Sequence, residues 1–408
     1  MKKRFLSAGL AVVMAASLTA CGGSGSASTT TAAAGEAKAE GESKAAESSA
    51  AADGASFKIG GIGPVTGGAA VYGLAVQHGA EIAVKEINEA GGINGYPVEF
   101  QFQDDEHDAE KSVNAYNTLK DWGMQVLMGT VTSAPCIAVA DKTAADNMFQ
   151  ITPSGSAVEC AANPNVYRVC YSDPAQGTAS AKYIGEHKLA SKVAVIYDSS
   201  DVYSSGIYEK FAQEAPNQGI EVVDAEAFTA DSNKDFSTQL QKAKESGAEL
   251  VFLPIYYTEA SLILQQANTM GFAPQFFGCD GMDGILQVQN FDVKLAEGLM
   301  LLTPFAADAT DDLTVKFVKS FEDAYGETPI QFAADAYDAM YVIKAAMEEA
   351  NVTPDMAVGD ICDAMEGAMT KIKVDGLTGT NMTWTEDGEP EKDPKAVQVV
   401  DGAYKAME

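Results

Sequence analysis

The fold is decided by residues 57–122, where FKIGGI at 57–62 and VEFQF at 98–102 predict two β-strands. Between them, residues 71–90 carry Ile82, Ala83 and Ile87 at spacings typical of an amphipathic helix. A second helix follows, which Asp108 caps and which ends near Trp122. The order strand, helix, strand, helix predicts a βαβ unit with parallel strands.

The same alternation continues along the chain. Further strands are predicted at 125–128, 148–152, 193–197, 221–228, 250–253 and 275–277. Repeated βαβ units give parallel sheets with helices on both faces, so the fold class is α/β. Roughly 350 residues exceed one hydrophobic core, and we therefore expect two doubly wound parallel-sheet lobes.

Charge and hydropathy exclude several classes of function. The chain has 408 residues, with 27 Lys and Arg against 58 Asp and Glu, for a net charge of −31. Such an acidic protein lacks the basic face that nucleic acids or anionic lipid headgroups require. After the first twenty residues, the sequence offers no apolar run long enough to span a bilayer, so we do not expect an integral membrane protein.

The N-terminus looks like an export signal. Residues 2–4 are basic, residues 6–17 are apolar, and Leu-Thr-Ala precedes Cys21. This pattern resembles a bacterial lipoprotein signal, with residues 1–20 removed and Cys21 lipidated. The alternative is an ordinary secretory signal with an incidental cysteine. Residues 21–56 then form a tether, since Ala, Gly, Ser and Thr dominate a segment that has no material for a core.

The cysteines of the body leave two possibilities open. Cys160 and Cys170 flank a short loop and could form a disulfide in an extracytoplasmic protein, or all the thiols could be free and buried. No CxxC or Cys/His spacing suggests zinc, and we expect no metal.

Hydroxyl-rich loops follow the third and fourth predicted strands. Ser133 comes after the strand at 125–128, and Ser154 and Ser156 come after the strand at 148–152. In parallel sheets the carboxyl ends of strands form the ligand site, and helix N-termini with serine hydroxyls suit a carboxylate. Simple helix capping by Ser133 is the alternative. The glycines at 61–68 fail the dinucleotide spacing, because Thr66 stands where a glycine is required.

The later strand ends differ in character. Tyr203 and Tyr256 supply aromatic walls, and Asp280 is a lone carboxylate between small residues. An anion receptor, a cation receptor and aromatic walls together suit a zwitterion such as an amino acid. The sequence contains no GxSxG, Walker or HExxH motif, and we expect no enzyme. The acidic run 104–108 is interpreted as a solvated turn rather than a metal site.

These residues resemble the leucine/isoleucine/valine-binding proteins of ABC importers, which have the type 1 periplasmic-binding-protein fold. The resemblance covers about residues 58–404. Its carriers are Ile62-Gly63-Pro64, Tyr72-Gly73, Ile87-Asn88, Gly91-Gly92-Ile93-Asn94-Gly95, Phe102-Gln103-Asp104-Asp105, Ser133, Thr152-Pro153-Ser154, Asp173-Pro174-Ala175-Gln176-Gly177, Asp198 with Tyr203, and Asp235-Phe236.

The resemblance implies a role for each candidate residue. Ser133 and the backbone near Ser156 bind the ligand carboxylate, while the carbonyl of Ser154 and the acid Asp280 bind its ammonium. Tyr72, Tyr203 and Tyr256 line the cleft. Asp280 stands where relatives commonly have Glu, and His107 and Thr132 fall near a disulfide position of some relatives.

It also implies the domain plan and the function. Lobe 1 comprises 57–173 plus 303–383, and lobe 2 comprises 174–302 plus 384–408, joined by a three-strand hinge. We expect a monomer without cofactor, which captures a branched-chain or other apolar amino acid by cleft closure. It would hand that ligand to an ABC permease at the outer face of the cell membrane. A small amide such as urea as ligand, or a sensing rather than importing subunit, remain the alternatives.

Overall fold

The computed structural model describes residues 54–392 and 394–407. The predicted signal peptide 1–20, the lipidation site Cys21 and residues 21–53 of the tether lie outside the described residues. Within the described part, no helix combines the length and the apolar character needed to cross a membrane.

The first half of the described chain alternates strands and helices as the sequence predicts. Its elements are β1 Phe57–Gly63, α1 Ala70–Glu89, β2 Val98–Asp104, α2 Ala109–Trp122, β3 Val126–Gly129, α3 Ser133–Asp146, β4 Gln150–Thr152 and β5 Val166–Arg168. These five strands form one parallel sheet in the order β2-β1-β3-β4-β5. This sheet is the core of lobe 1.

Local chemistry explains where the first helices begin and end. The Asp108 carboxylate accepts the backbone N–H of Lys111 at 2.9 Å, which confirms the predicted N-cap of α2. Gly123 ends the same helix in the left-handed conformation, at φ 94°, which glycine adopts without steric cost. The turn before α2 is less solvated than predicted, since Asp105 is fully buried and accepts the N–H of His107 at 2.9 Å.

The chain then builds a second sheet. Its elements begin with α4 Asp173–Glu186, β6 Lys192–Asp198, α5 Val202–Glu214, β7 Glu221–Phe228, α6 Ser237–Glu245, β8 Leu250–Leu253, α7 Tyr257–Thr269, β9 Gln275–Gly278 and β10 Met300–Thr303. These strands pair in parallel and form the core of lobe 2. The α/β class with two parallel-sheet lobes is therefore confirmed.

The remaining elements return to lobe 1 and end in lobe 2. They are α8 Asp312–Tyr325, α9 Gln331–Glu349, α10 Val358–Met369, β11 Thr383–Trp384, β12 Pro390–Glu391, β13 Lys395–Val400 and β14 Ala403–Ala406. β13 joins β10 antiparallel, and β14 extends the same sheet. On the lobe 1 side, α9 packs so closely on α1 that a Cβ at Gly79 would lie 2.1 Å from the carbonyl oxygen of Ala333.

The predicted lobe boundaries stay a prediction. β10 lies in the sheet of lobe 2, and the chain then passes to the helices beside α1. The β11–β12 hairpin, which the prediction divides at residue 384, contacts lobe 1: the indole N–H of Trp384 donates to the Arg168 carbonyl at 2.8 Å.

The described cysteines form no disulfide. Cys160 and Cys170 are free and buried, as are Cys136, Cys279 and Cys362. Of the two possibilities left open by the sequence, the structure shows buried thiols. Cys160 packs instead in a small apolar cluster with Cys136 and Ala157.

Candidate ligand site between the lobes

One small cavity lies where the carboxyl ends of the strands of both sheets meet. The empty space within it, together with the solvent that opens onto it, amounts to about 220 Å³. It brings together all seven predicted ligand-binding residues, together with four that the sequence did not single out for this role. The lining residues are Tyr72, Val131, Thr132, Ser133, Ser154, Ser156, Tyr203, Tyr256, Asp280, Gly281 and Phe332.

The lobe 1 side of the cavity presents hydroxyl and amide groups. Ser133 is the first residue of α3, and its Oγ accepts the N–H of Ser156 at 3.2 Å and the N–H of Ala157 at 3.1 Å. The alternative of simple capping is therefore wrong, because these N–H groups belong to the loop after β4 rather than to α3. The hydroxyl, the loop amides and the positive end of α3 are gathered at one point that suits an anion.

Further hydroxyls tie the two loops of lobe 1 together. The Ser154 hydroxyl donates to the Val131 carbonyl at 2.6 Å, and the Thr152 hydroxyl donates to the Thr130 carbonyl at 2.6 Å. Thr152 Oγ1 also accepts the N–H of Gly155 at 2.7 Å. The Ser154 side chain thus holds the two loops together. Its backbone carbonyl is the group that the resemblance implies as a ligand of the ammonium.

The lobe 2 side carries the carboxylate. Asp280 Oδ1 accepts the Tyr203 hydroxyl at 2.7 Å and the N–H of Gly281 at 2.6 Å, and Oδ2 accepts the Gln176 amide at 2.9 Å. Burial raises the pKa of Asp280 to about 6, and these three hydrogen bonds act in the opposite direction. At neutral pH the carboxylate is ionised and held in a fixed position.

Tyr72 reaches across the cleft from α1 in lobe 1. Its hydroxyl donates to the Gly281 carbonyl and accepts the N–H of Tyr257 at 3.3 Å. Burial raises the pKa of Tyr72 well above its ordinary value, so the hydroxyl stays protonated and able to donate. A second bridge joins the Thr258 hydroxyl to the Gly68 carbonyl at 2.9 Å. The lobes are therefore in direct contact in this structure, and the cleft is closed.

Aromatic rings form the walls of the cavity. Tyr203 stacks on Tyr256 with centroids 4.8 Å apart, and Tyr72 stacks on Phe332 with centroids 4.2 Å apart. Of the eleven described residues that line the cavity, Asp280 alone carries a charged side chain. A ligand side chain placed against these rings meets an aromatic surface.

Two positions matter that sequence reasoning missed for this role. Phe332 lies in the first turn of α9 rather than at a strand end, and no local pattern marks it. Gln176 lies within the quoted Asp-Pro-Ala-Gln-Gly run, and that motif could have indicated its contact with Asp280. His107 and Thr132 lie side by side, with His107 Nδ1 2.8 Å from Thr132 Oγ1, so a polar contact stands at the disulfide position that the resemblance indicated.

The family model described as periplasmic binding protein matches residues 56–403. The chain belongs to this family. Members are solute-binding proteins rather than enzymes, which confirms the expectation that this chain is not an enzyme.

The relatives make the resemblance more specific. The chain is 32% identical over 305 residues to Leu/Ile/Val-binding protein homolog 3 of Brucella melitensis, covering 74% of this chain and 82% of that protein. It is 30% identical over 297 residues to the leucine-, isoleucine-, valine-, threonine- and alanine-binding protein of Pseudomonas aeruginosa, covering 72% and 79%. The predicted resemblance to the leucine/isoleucine/valine-binding proteins is therefore confirmed.

Solved structures agree with this assignment. A leucine-binding protein from Thermotoga maritima is similar with a TM-score of 0.77 and 26% identity, over 86% of this chain and 98% of that chain. The branched-chain amino acid transporter substrate-binding protein of Streptococcus pneumoniae, solved with isoleucine, has a TM-score of 0.77 and 26% identity over 86% and 99%. The type 1 periplasmic-binding-protein fold is thus confirmed.

Proposed function

We propose that this protein captures one free amino acid, branched-chain or otherwise apolar, between its lobes and delivers it to an ABC importer. The observation that carries the proposal is the division of charge across one cavity. Ser133 and Ser156, whose backbone N–H donates to Ser133 Oγ, line it from lobe 1, and Asp280 lines it from lobe 2. A free amino acid has a carboxylate and an ammonium on one carbon, and therefore matches both sides at once.

The walls and the relatives support an apolar side chain. Tyr72, Phe332 and Tyr256 give the ligand side chain aromatic surface, and no second charge is offered among the described lining residues. A dicarboxylic or a basic amino acid would bury a charge without a partner, at a cost of several kcal/mol. The Brucella and Pseudomonas relatives bear the names of leucine-, isoleucine- and valine-binding proteins, which supports the same ligand class.

Closure of the cleft is part of the proposal. The groups that would bind the ligand belong to different lobes, so an open form could offer it one set at a time. A ligand that touches both sets must favour the closed form. Small-angle X-ray scattering of the free protein should give a larger radius of gyration than scattering at saturating ligand. An equal radius in the two samples, both matching an open shape, would contradict the mechanism.

A thermal-shift screen tests the ligand. The twenty amino acids, urea and small amides are added singly to the protein, because a ligand at 100 times its dissociation constant adds about 2.7 kcal/mol to the free energy of unfolding. We expect leucine, isoleucine or valine to stabilise the protein most. Stabilisation by urea or an amide alone would favour the amide alternative, and stabilisation by none of these compounds would refute the proposal.

We further propose that the protein is a lipoprotein anchored through Cys21 to the outer face of the cell membrane. The order of basic, apolar and small residues before Cys21 supports this. Replacement of Cys21 by serine should leave unprocessed precursor or release the protein from the membrane. Correct processing and membrane retention of the variant would contradict the anchor.

A further inference from the structure

Arg168 is the largest fully buried side chain in the described part of the chain. It ends β5 and lies behind the loop that carries Ser156 into the cavity. A buried guanidinium is costly unless all its surroundings compensate it, because the charged group has lost its water. No sequence motif marks it for a role.

The guanidinium holds four consecutive backbone carbonyls. Nη1 donates to the carbonyls of Gly155 at 3.2 Å and Ser156 at 2.6 Å, and Nη2 donates to those of Ala157 at 3.0 Å and Val158 at 3.3 Å. On its other side, Nε lies 3.2 Å from a carboxylate oxygen of Glu389. Only arginine has a planar guanidinium with enough N–H donors to make all of these contacts at once.

These carbonyl contacts fix the direction of the two loop amides that donate to Ser133 Oγ at the edge of the cavity. In a trans peptide unit the C=O and the N–H point in opposite directions. The carbonyl of Gly155 shares its unit with the N–H of Ser156, and the carbonyl of Ser156 shares its unit with the N–H of Ala157. Because Arg168 draws both carbonyls to itself, both N–H groups point away from it, towards Ser133 Oγ, which they reach at 3.2 and 3.1 Å.

The charge of Arg168 acts in the same direction as this geometry. The guanidinium is ionised at all ordinary pH values, and it polarises the peptide units whose oxygens it binds. The positive end of those peptide dipoles is then directed at Ser133, where the anion receptor lies. Lobe 1 thereby offers the cavity a positive field although none of its own lining residues is a cation.

We propose that Arg168 is a positioning residue for the ligand carboxylate, orienting the amides of residues 156 and 157 through their peptide planes. The inference rests on the proposed function, because it concerns the carboxylate half of the same ligand. It goes beyond that function by assigning the anion receptor to a residue that does not itself line the cavity.

Calorimetry with L-leucine tests the assignment, with the parent protein titrated first. Arg168→Met keeps the length and the apolar stem but removes the donors and the charge. Affinity in the folded variant should fall by about 10- to 100-fold, the loss that removal of an orienting partner causes in metal sites. In ligand-free protein, amide hydrogen exchange over residues 154–158 should become faster. No binding of L-leucine to the parent would count against the proposed function, whereas the exchange result tests Arg168 by itself.

Two further variants separate positioning from packing. Trp384→Phe removes the indole bond to the Arg168 carbonyl and leaves the guanidinium intact, so it should lower the melting temperature and keep affinity within about threefold of the parent. Arg168→Lys restores the charge but not the fork, and should bind with intermediate affinity. The proposal is overturned if the folded Arg168 variants bind as the parent does, if Trp384→Phe loses as much affinity as Arg168→Met, or if neither Arg168 variant folds.

Discussion

Asp280→Asn should nearly abolish amino-acid binding while the protein stays folded. In the proposed complex the ligand ammonium is buried against this carboxylate, which lies within a closed cleft. Removing one partner of a buried charge pair typically costs 2 to 5 kcal/mol, or roughly 30-fold to several thousand-fold in affinity. An asparagine also brings an N–H₂ group towards Tyr203 and Gln176, which both donate to the present carboxylate.

The Asp280→Asn substitution should raise the free energy of unfolding of the protein or leave it almost unchanged. In the closed cleft, burial raises the pKa of Asp280 to about 6, against an ordinary 3.8, so the ionised carboxylate is destabilising there at pH 7. Between these two pKa values the folded state binds more protons than the unfolded state, and stability therefore falls as pH rises. Asparagine removes this cost, which offsets the hydrogen bonds that it cannot accept.

Calorimetry and thermal melting on two variants measure both effects. Asp283→Asn is the matched control, because Asp283 is buried, has its pKa raised to about 6, and accepts the N–H groups of Gly284 and Gln331 outside the ligand cavity. We expect the control to bind within about threefold of the parent. If Asp280→Asn binds L-leucine as tightly as the parent, the ligand ammonium does not pair with Asp280, and a neutral amide becomes the better ligand.

Three further changes have expected outcomes. Ser133→Ala should weaken binding less than Asp280→Asn, since one hydroxyl contributes about 0.5 to 1.5 kcal/mol and the loop amides remain; the reverse order by calorimetry would contradict this. Affinity should be lower at pH 5 than at pH 7, because Asp280, whose pKa is raised by burial, becomes protonated and loses its attraction for the ammonium; equal affinity at pH 7 and pH 5 would refute it. Tyr72→Phe removes the hydroxyl bridge to Gly281 but keeps the ring. It should therefore enlarge the ligand-bound radius of gyration or raise the dissociation rate of the ligand in stopped flow. A variant that closes on the ligand and releases it as the parent does would show that the bridge contributes nothing to closure.

The elements that sequence analysis found share a local signal. β1 to β4 and β6 to β9 alternate with helical or turn segments, and the alternation alone indicates parallel sheets. β5 has three residues, and β13 and β14 follow the β11–β12 hairpin, so none of these three strands takes part in that alternation. β13 obtains its place from antiparallel pairing with β10, nearly a hundred residues earlier.

The residues of the candidate site also differ in how far a local sequence pattern could predict them. Ser133, Ser156 and Asp280 follow strands directly, and the rule that ligands bind at strand ends was sufficient to select them. Phe332 lies in α9 and reaches the site through packing between distant segments, whereas Arg168 ends β5 and contacts the neighbouring loop from behind without lining the cavity. Their contribution depends on which peptide planes and rings they touch, and a linear pattern does not contain that information.

In the proposed function a single zwitterion bridges the two lobes, and one calorimetric comparison tests this most directly. The parent protein is titrated with L-leucine, with leucinamide, which lacks the carboxylate, and with 4-methylpentanoic acid, which lacks the ammonium. Each analogue loses a charged contact on one lobe, and we predict that each binds at least about 30-fold more weakly than L-leucine. Binding of either analogue as tightly as L-leucine would show that one side of the cavity does not recognise the charge assigned to it.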